Sequence, residues 1–238
     1  MHRIRRLAPW ISALAVVLIA AAGLGTRLGL WDFRAGFQLL RLGAYLGLAG
    51  AGLGLVGLLW RPAGSRLRRP LIAMGLGALA ALIPWTWMRQ ARRVPPIHDI
   101  TTDTERPPEF VAVLPLRAGA PNPAEYGGAE VAAQQRAAYP DIVPLRLELP
   151  AAEAYARALS AARDSGWEIV AADSAAGRIE ATATTAWFGF KDDVVIRVTP
   201  EGRGSRIDAR SVSRVGVSDV GANAERIRDF LERLRQAA

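Results

Sequence analysis

Three long apolar runs open the chain, and a shorter-period pattern follows them. Leu7–Leu24 (LAPWISALAVVLIAAAGL) and Leu71–Met88 (LIAMGLGALAALIPWTWM) carry no charge, and Phe37–Trp60 carries only Arg41, near its start. A bilayer core of about 30 Å takes roughly 20 apolar residues as a helix. Transmembrane spans are therefore expected at about 7–24, 37–60 and 71–88, within a membrane region covering 1–94. The basic head MHRIRR and Ala20-Ala21-Ala22 give the first run some features of a cleaved leader. Its length, and the two runs behind it, favour a retained helix.

Val94-Pro95-Pro96 stops the third helix. Residues 95–141 are rich in Pro, Gly and Ala and read as an extended arm or linker. A helix is expected within Pro123–Ala138 and a short strand at Val111–Leu114. From Ile142 the pattern is regular, defining a soluble domain over 142–238. Val143, Leu145, Leu147 and Leu149 alternate as a strand. Pro150 opens a helix with Tyr155, Ala158, Leu159 and Ala162 on one stripe, and Gly166 ends it. Strands follow at Trp167–Ala172, Arg178–Thr185, Lys191–Thr199 and Ser205–Arg214. In the last of these, Arg210, Val212 and Arg214 share one face, and Ser211 and Ser213 the other. Asn223 is expected to cap a final helix whose apolar stripe is Ile227, Phe230, Leu231 and Leu234. The order β-α-β-β-β-β-α predicts an α+β fold: three N-terminal transmembrane helices, then an antiparallel sheet with helices on one face.

Charge divides at the same boundary. The first 94 residues hold thirteen arginines and one acid, Asp32, for a net +12; the rest is −4, against +8 overall. A basic chain invites a nucleic-acid reading, but here the arginines sit at the ends of apolar runs, where they anchor helices, so no nucleic-acid partner is expected. The absence of cysteine excludes disulfides, thiol chemistry and Cys-ligated metals.

Loop arginines set orientation. Arg3, Arg5 and Arg6 with Arg61, Arg66, Arg68 and Arg69 lie on one side. Arg27 and Arg34 with Arg89, Arg92 and Arg93 lie on the other. Seven against five places the N-terminus inside and the soluble domain outside a bacterial-type inner membrane, toward the periplasm. The second span carries a glycine ladder, Gly43, Gly47, Gly50, Gly54 and Gly57, suited to close packing of the three spans, with self-association as the alternative.

Several segments resemble the DUF1499 family in order: His98-Asp99-Ile100-Thr101-Thr102-Asp103 with Pro107-Pro108, then Tyr139-Pro140, then Trp187-Phe188-Gly189-Phe190-Lys191-Asp192-Asp193. The most specific is Arg210–Ile227, RSVSRVGVSDVGANAERI. The resemblance covers about 95–236. It implies a domain behind membrane spans and names no reaction.

Candidate chemistry is sparse. His98 stands beside Asp99, with Asp103 four residues on. They offer a general base, or carboxylates for a hard cation, but lack the further His of a hydrolytic zinc site. The alternative is a turn whose Asp and Thr side chains bond backbone and pin the arm. Asp192 and Asp193 point to opposite faces of a strand, a poor acid–base pair. The Arg210–Arg226 run offers Arg210, Ser213, Arg214, Asp219, Asn223 and Arg226 around a helix start, where an anion is held by backbone N–H groups. The competing reading is an internal network, with Arg214 or Arg226 paired to Asp219.

No cofactor or resident metal is expected. The leading reading is a non-enzymatic, membrane-anchored domain of the cell envelope. Its partners would be the bilayer and a small apolar or anionic ligand, or an envelope protein, with Trp187, Phe188 and Phe190 as possible cavity walls. The alternatives are a hydrolase-like or metal-dependent enzyme using His98 with Asp99 or Asp103, and a structural assembly subunit.

Overall fold

The computed structural model describes residues 2–60 and 66–236. Loop residue Arg61 lies outside the described residues, as do the side chains of Arg3 and Arg5. The chain divides into two compact units: the first 90 residues with Ala186–Gly189, and Ala91–Thr185 with Phe190 onward.

The first unit contains α1 (His2–Arg27), α2 (Phe33–Leu59) and α3 (Arg68–Ala91). All three are long and apolar enough to cross a membrane. Asp32, the lone acid of this region, accepts hydrogen bonds from Arg34 N and Ala35 N and caps α2; Ser, Thr, Asp and Asn suit that position because they satisfy orphan amides. The glycine ladder of α2 divides into two stripes. Gly43 and Gly50 face Ile19 and Ser12 of α1, whereas Gly47 and Gly54 face Gly77 and Pro70–Met74 of α3. Ser12 Oγ donates to Ala73 O at 2.8 Å. Close backbone approach is what small residues permit in lipid, where dispersion and polar contacts replace the hydrophobic effect. A Cβ at Gly47 would stand 2.8 Å from Gly77 O and 2.9 Å from Ala80 Cβ. Gly47→Leu is therefore expected to lower the stability of the helical unit by about 1–3 kcal/mol or more through overpacking. Thermal unfolding in detergent, followed by far-UV circular dichroism, checks this; an unchanged midpoint contradicts the α2–α3 contact.

The residues Ala186–Gly189 also belong to this unit. Trp187 Nε1 donates to Ala20 O at 3.3 Å, and Arg27 donates to Ala186 O at 2.7 Å. The Trp187 ring lies edge-on to Trp87 at 5.0 Å, and Phe188 lies 5.2 Å from Phe37. Gly23 leaves room for the indole, since a Cβ there would overlap the ring. Trp187 and Phe188 thus pack into a niche among the helix ends.

The second unit is a six-stranded antiparallel sheet with helices on one face. Its strands are β1 (Asp99–Thr101), β2 (Leu145–Leu147), β3 (Glu168–Asp173), β4 (Arg178–Thr184), β5 (Lys191–Glu201) and β6 (Gly204–Ser213). The order is β1-β6-β5-β4-β3, and β2 pairs with β6 beyond β1. The outer edge of β6 thus carries two short strands, β1 opposite Arg210–Val212 and β2 opposite Ser205–Ile207.

One face packs on α5 (Ala151–Asp164) and α6 (Ala222–Gln236). Ile179, Ala181, Val194, Ile196, Val198, Ile207 and Ala209 meet Tyr155, Ala158, Ile227, Phe230 and Leu234, as the period-2 and period-3.6 patterns require. Gly166, at φ 74°, ends α5.

The arm differs from expectation in two places. Asp99–Thr101 is a strand. Val111–Leu114 is not one: it is a turn entering a 3₁₀ helix, Leu114–Arg117. The arm helix α4 covers Gly128–Ala138, within the expected range. Its buried Gln135 takes Thr101 N on Oε1 at 2.9 Å and donates Nε2 to Thr101 O at 2.6 Å. One side chain thereby completes the outer edge of β1. Gln135→Leu is expected to cost about 2–3 kcal/mol, because it leaves a buried amide and carbonyl unpaired; urea denaturation of the full chain in detergent tests this, and no loss would contradict the pairing.

Candidate functional site

The second sheet face is built of ionisable side chains. Alternation from Glu180 and Thr182 on β4, Asp193 and Arg197 on β5, and Asp208 and Arg210 on β6, with Arg214 just beyond its end, brings them to one side. Such a pattern ordinarily faces solvent. Here the arm covers it, with Phe110 and Val113 packed on Val195 and Val212.

Three ionic groups lie beneath. Asp193, fully buried, accepts from Arg117 at 2.6 Å, from Arg214 at 2.8 and 2.9 Å, and from Thr182 Oγ1 at 2.7 Å. These bonds outweigh desolvation and hold its carboxyl below the usual range. Asp99 receives Arg210 Nε and Nη2 at 2.9 and 2.8 Å. Desolvation pushes the Asp99 carboxyl up, against the pull of Arg210. Asp103 and Asp208 share Arg197 and Arg206. Asp103 Oδ1 also accepts from Glu105 N and Arg106 N, making the local turn expected of that segment. Although desolvation raises it, these amides and the two arginines leave the Asp103 carboxyl lowered. Beside them, buried Glu180 takes the amides of Val111, Ala112 and Val113, each at 3.0 Å.

The serines lie on the helix-covered face with Asp192. Asn223 Oδ1 accepts from Ser211 Oγ at 2.7 Å, and Asn223 Nδ2 donates to Ser213 Oγ and His98 O at 3.0 Å. Arg226 donates to Ser211 Oγ, to Asn223 Oδ1 and to Asp192 Oδ2. Asn223 is therefore not the helix cap. That role falls to Asp219, whose carboxylate accepts from Gly221 N and Asn223 N at 2.8 Å. Desolvation pushes the Asp219 carboxyl up, and the capping amides only partly offset this. Neither Arg214 nor Arg226 pairs with Asp219: their partners are Asp193 and Asp192, because β5 lies between β6 and the rest of the sheet and presents those carboxylates first.

The nine sequence-derived candidates thus fall into separate places. Asp99 with Arg210, Asp103, and Arg214 lie under the arm. Ser213, at the end of β6, meets Asn223 and Arg226 of the first turns of α6, and Asp219 caps that helix. His98 directs Nδ1 to Val217 O at 3.3 Å. Asp99 and Asp103 spend their carboxylate oxygens on guanidinium and amide donors, which leaves a hard cation little to bind. Among the described residues, no group of three His, Cys, Asp or Glu is placed to hold a metal. The sequence reading missed Arg117, Glu180, Arg197, Arg206 and Asp208; the last four show only as polar alternation within strands, and Arg117, in the 3₁₀ turn, carries no such signal.

Acid is expected to act on this network with a defined sign. Asp103 and Asp193, lowered on folding, contribute stability above the unfolded carboxylate value of about 3.9, lost as pH falls through their lowered folded values. Asp99 and Asp219, raised on folding, act oppositely: protonation through their raised values relieves a penalty. Stability is expected to rise slightly on mild acidification and to fall below about pH 4. Denaturation across pH tests this; a monotonic rise toward low pH contradicts the Asp193 network.

Two clefts among the described residues open onto the arm-covered face; the larger, about 510 Å³, is lined by charged residues including Glu105, Arg106, Glu109, Arg178 and Arg197, and the smaller reaches Arg210. The smaller cleft has a volume of about 320 Å³ and is lined by Pro107, Glu109, Phe110, Leu114, Ala124, Glu125, Tyr126 and Arg210. Arg210 lies between the rings of Phe110 and Tyr126, at 5.1 and 5.5 Å from their centroids. It donates to Asp99, Pro108 O and Ala124 O, which uses four of the five N–H bonds of a guanidinium. The Tyr126 hydroxyl is buried without a hydrogen-bond partner. Burial pushes it up to about 12, so it stays a protonated donor at neutral pH.

Among curated proteins, no sequence matches. The chain is similar to the crystal structure of TTHA0849 from Thermus thermophilus, at 14% identity over 40% of this chain and 97% of that one, with a TM-score of 0.26. A family model described as "Protein of unknown function (DUF1499)" matches residues 99–234. That stretch runs from β1 through the arm and the ionic face to α6, more than half of the chain, and the protein belongs to the DUF1499 family.

Proposed function

We propose that this protein is a non-enzymatic, membrane-anchored binding domain of the cell envelope, taking a small ligand that joins an apolar body to an anionic or carbonyl oxygen. The observation that carries the reading is the cleft at Arg210. A remaining guanidinium N–H and an unpaired tyrosine hydroxyl line it beside Phe110, Leu114 and Pro107, with the exposed carboxylates of Glu109 and Glu125 on the same cleft. Ligand sites are concave, mostly apolar and equipped with a few converging polar groups. The leftover donors suit an acceptor oxygen, since a buried donor without a partner costs about 1–3 kcal/mol. The other ionisable groups named above are engaged in internal pairs, which favours binding over acid–base chemistry.

The test is native mass spectrometry of the full chain released from detergent, comparing wild type with Tyr126→Phe. A small molecule retained by the wild type and lost or weakened about tenfold in the variant supports the reading, one lost hydrogen bond being worth about 1.4 kcal/mol. Equal retention by both, or no retained molecule, overturns it. The anchoring proposed has the N-terminus inside and the domain outside, following the arginine balance. An alkaline-phosphatase fusion after Ala238 is expected to be active; an inactive fusion made in full amount reverses the orientation.

A further inference from the structure

The most family-specific segment of the sequence, Arg210–Ile227, contains a loop that the ligand cleft does not use. Residues 215–221 join β6 to α6. Val217 is 76% exposed and Val220 37%. Val220 also has φ 57° and is the one non-glycine residue with positive φ among those described. A β-branched residue is strained there, and such strain persists where the surroundings impose it.

The surroundings do so. Asn122 Nδ2 donates to Gly216 O, His98 Nδ1 meets Val217 O, and Asp219 N donates to Ile97 O. Ser218 Oγ accepts from Val220 N, and the Asp219 carboxylate accepts two further amides. The loop is a rigid mount that holds two apolar side chains toward solvent. Free loops are usually polar and mobile, whereas this mount fixes two valines where an apolar surface can meet them.

Connectivity indicates which surface. Thr184 pairs with Lys191, Asp192 with Ser213, and Asp99 with Val212. The β4–β5 turn, the entry to β1 and the exit of β6 therefore share one end of the sheet. Each covalent passage between the two units leaves from that end: residues 91–98 from α3, and Thr185 and Phe190 flanking the tip that belongs to the helical unit. Pro95 is four residues beyond Ala91, the last residue of α3, a reach of at most about 14 Å of extended chain. Lys191, the sole lysine of the chain, is exposed at the same sheet end, where a cation favours anionic headgroups.

We infer that the 215–221 loop is a lipid-contacting element, with Val217 and Val220 seated at the headgroup–acyl boundary of the bilayer crossed by the three spans. This rests on the membrane anchoring proposed above but not on the ligand cleft.

The chain has no cysteine, so single labels are specific. The full chain carrying Val217→Cys or Val220→Cys, labelled with an environment-sensitive nitrobenzoxadiazole, is reconstituted in phosphatidylcholine–phosphatidylglycerol vesicles. Arg203→Cys, in the β5–β6 turn at the other end of the sheet, is the reference. Lipids bearing a doxyl group high on the acyl chain are expected to quench positions 217 and 220 at least about twofold more than 203, as interfacial burial of about 5–10 Å requires, and iodide to quench them less. Equal quenching at all three positions overturns the inference. So does protection from iodide without doxyl quenching, which would identify a second copy of the chain as the occupant. Failure of the protein to float with the vesicles would overturn the anchoring itself, a separate result. Val220→Gly, which removes the strain, is expected to raise the melting temperature while reducing doxyl quenching at 217; unchanged quenching would show that the strained valine has no part in the contact.

Discussion

Asp193→Ala is expected to destabilise the sheet-bearing unit by about 3–5 kcal/mol, the loss measured when one partner of a buried ion pair is removed. Asp193 is wholly buried and Arg117 is 3% exposed, with Arg214 beside them. Removing the carboxylate leaves two guanidinium groups facing each other in a region of low dielectric, and neither can shed its proton. The melting temperature should fall by roughly 10 °C for a unit of this size, read by near-UV circular dichroism of the full chain in detergent. The comparison that isolates the ionic origin is the triple variant Arg117→Met, Asp193→Leu, Arg214→Met. Replacing a whole buried ionic group with apolar residues of similar volume is often neutral, so the triple variant should be more stable than Asp193→Ala alone. A single variant as stable as wild type, or a triple variant worse than the single, would contradict the account of this face.

The second large effect concerns the arm. Glu180 receives three consecutive amides, those of Val111, Ala112 and Val113, and Arg178 Nε stands 3.0 Å from its Oε1. Glu180→Ala is expected to cost about 2–4 kcal/mol, since each orphaned buried amide costs about 1–3 kcal/mol and water reaches the outer two. The loss should be local. Hydrogen exchange at residues 111–113 is expected to accelerate about 30- to 1,000-fold, as each 1.4 kcal/mol is tenfold. Exchange in α5 and α6 should change much less. Unaltered exchange at 111–113 would mean that the carboxylate does not hold the arm.

The legibility of this protein follows the range of the interactions involved. The three spans were readable because bilayer thickness acts on each run separately. The strands from Glu168 to Ser213 were readable because one apolar face of each meets helices. Asp99–Thr101 was not, since three residues are too few to show alternation and their partner is β6, more than a hundred residues away. Val111–Leu114 looked like a strand because Val and Leu favour one. The side chain of Glu180 took its amides instead, and Pro115 then started a 3₁₀ turn. Asn223 looked like a cap because capping residues are interchangeable in sequence. Asp219, four residues earlier, occupies the role because Gly221 allows the chain to fold back over it at φ 89°.

For the candidate site, residue types were legible and their company was not. Opposite faces for Asp192 and Asp193, and for Ser211 and Arg210, follow from strand period alone. Which arginine meets which aspartate depends on strand order and on the cover above the face, neither of which is a local property.

The three apolar spans, the antiparallel order of the domain, the apolar stripes of α5 and α6 and the division of charge are properties of the sequence by itself, because each arises from periodicity or composition within a short window. Tertiary structure alone decided that a polar sheet face, which elsewhere would meet water, is largely covered by residues 102–126. It also decided that Trp187 and Phe188 fill a niche among helix ends, and that Val217 and Val220 are held outward. The physical reason is shared: a side chain's burial is set by what folds over it, and here the covering segments come from distant parts of the chain.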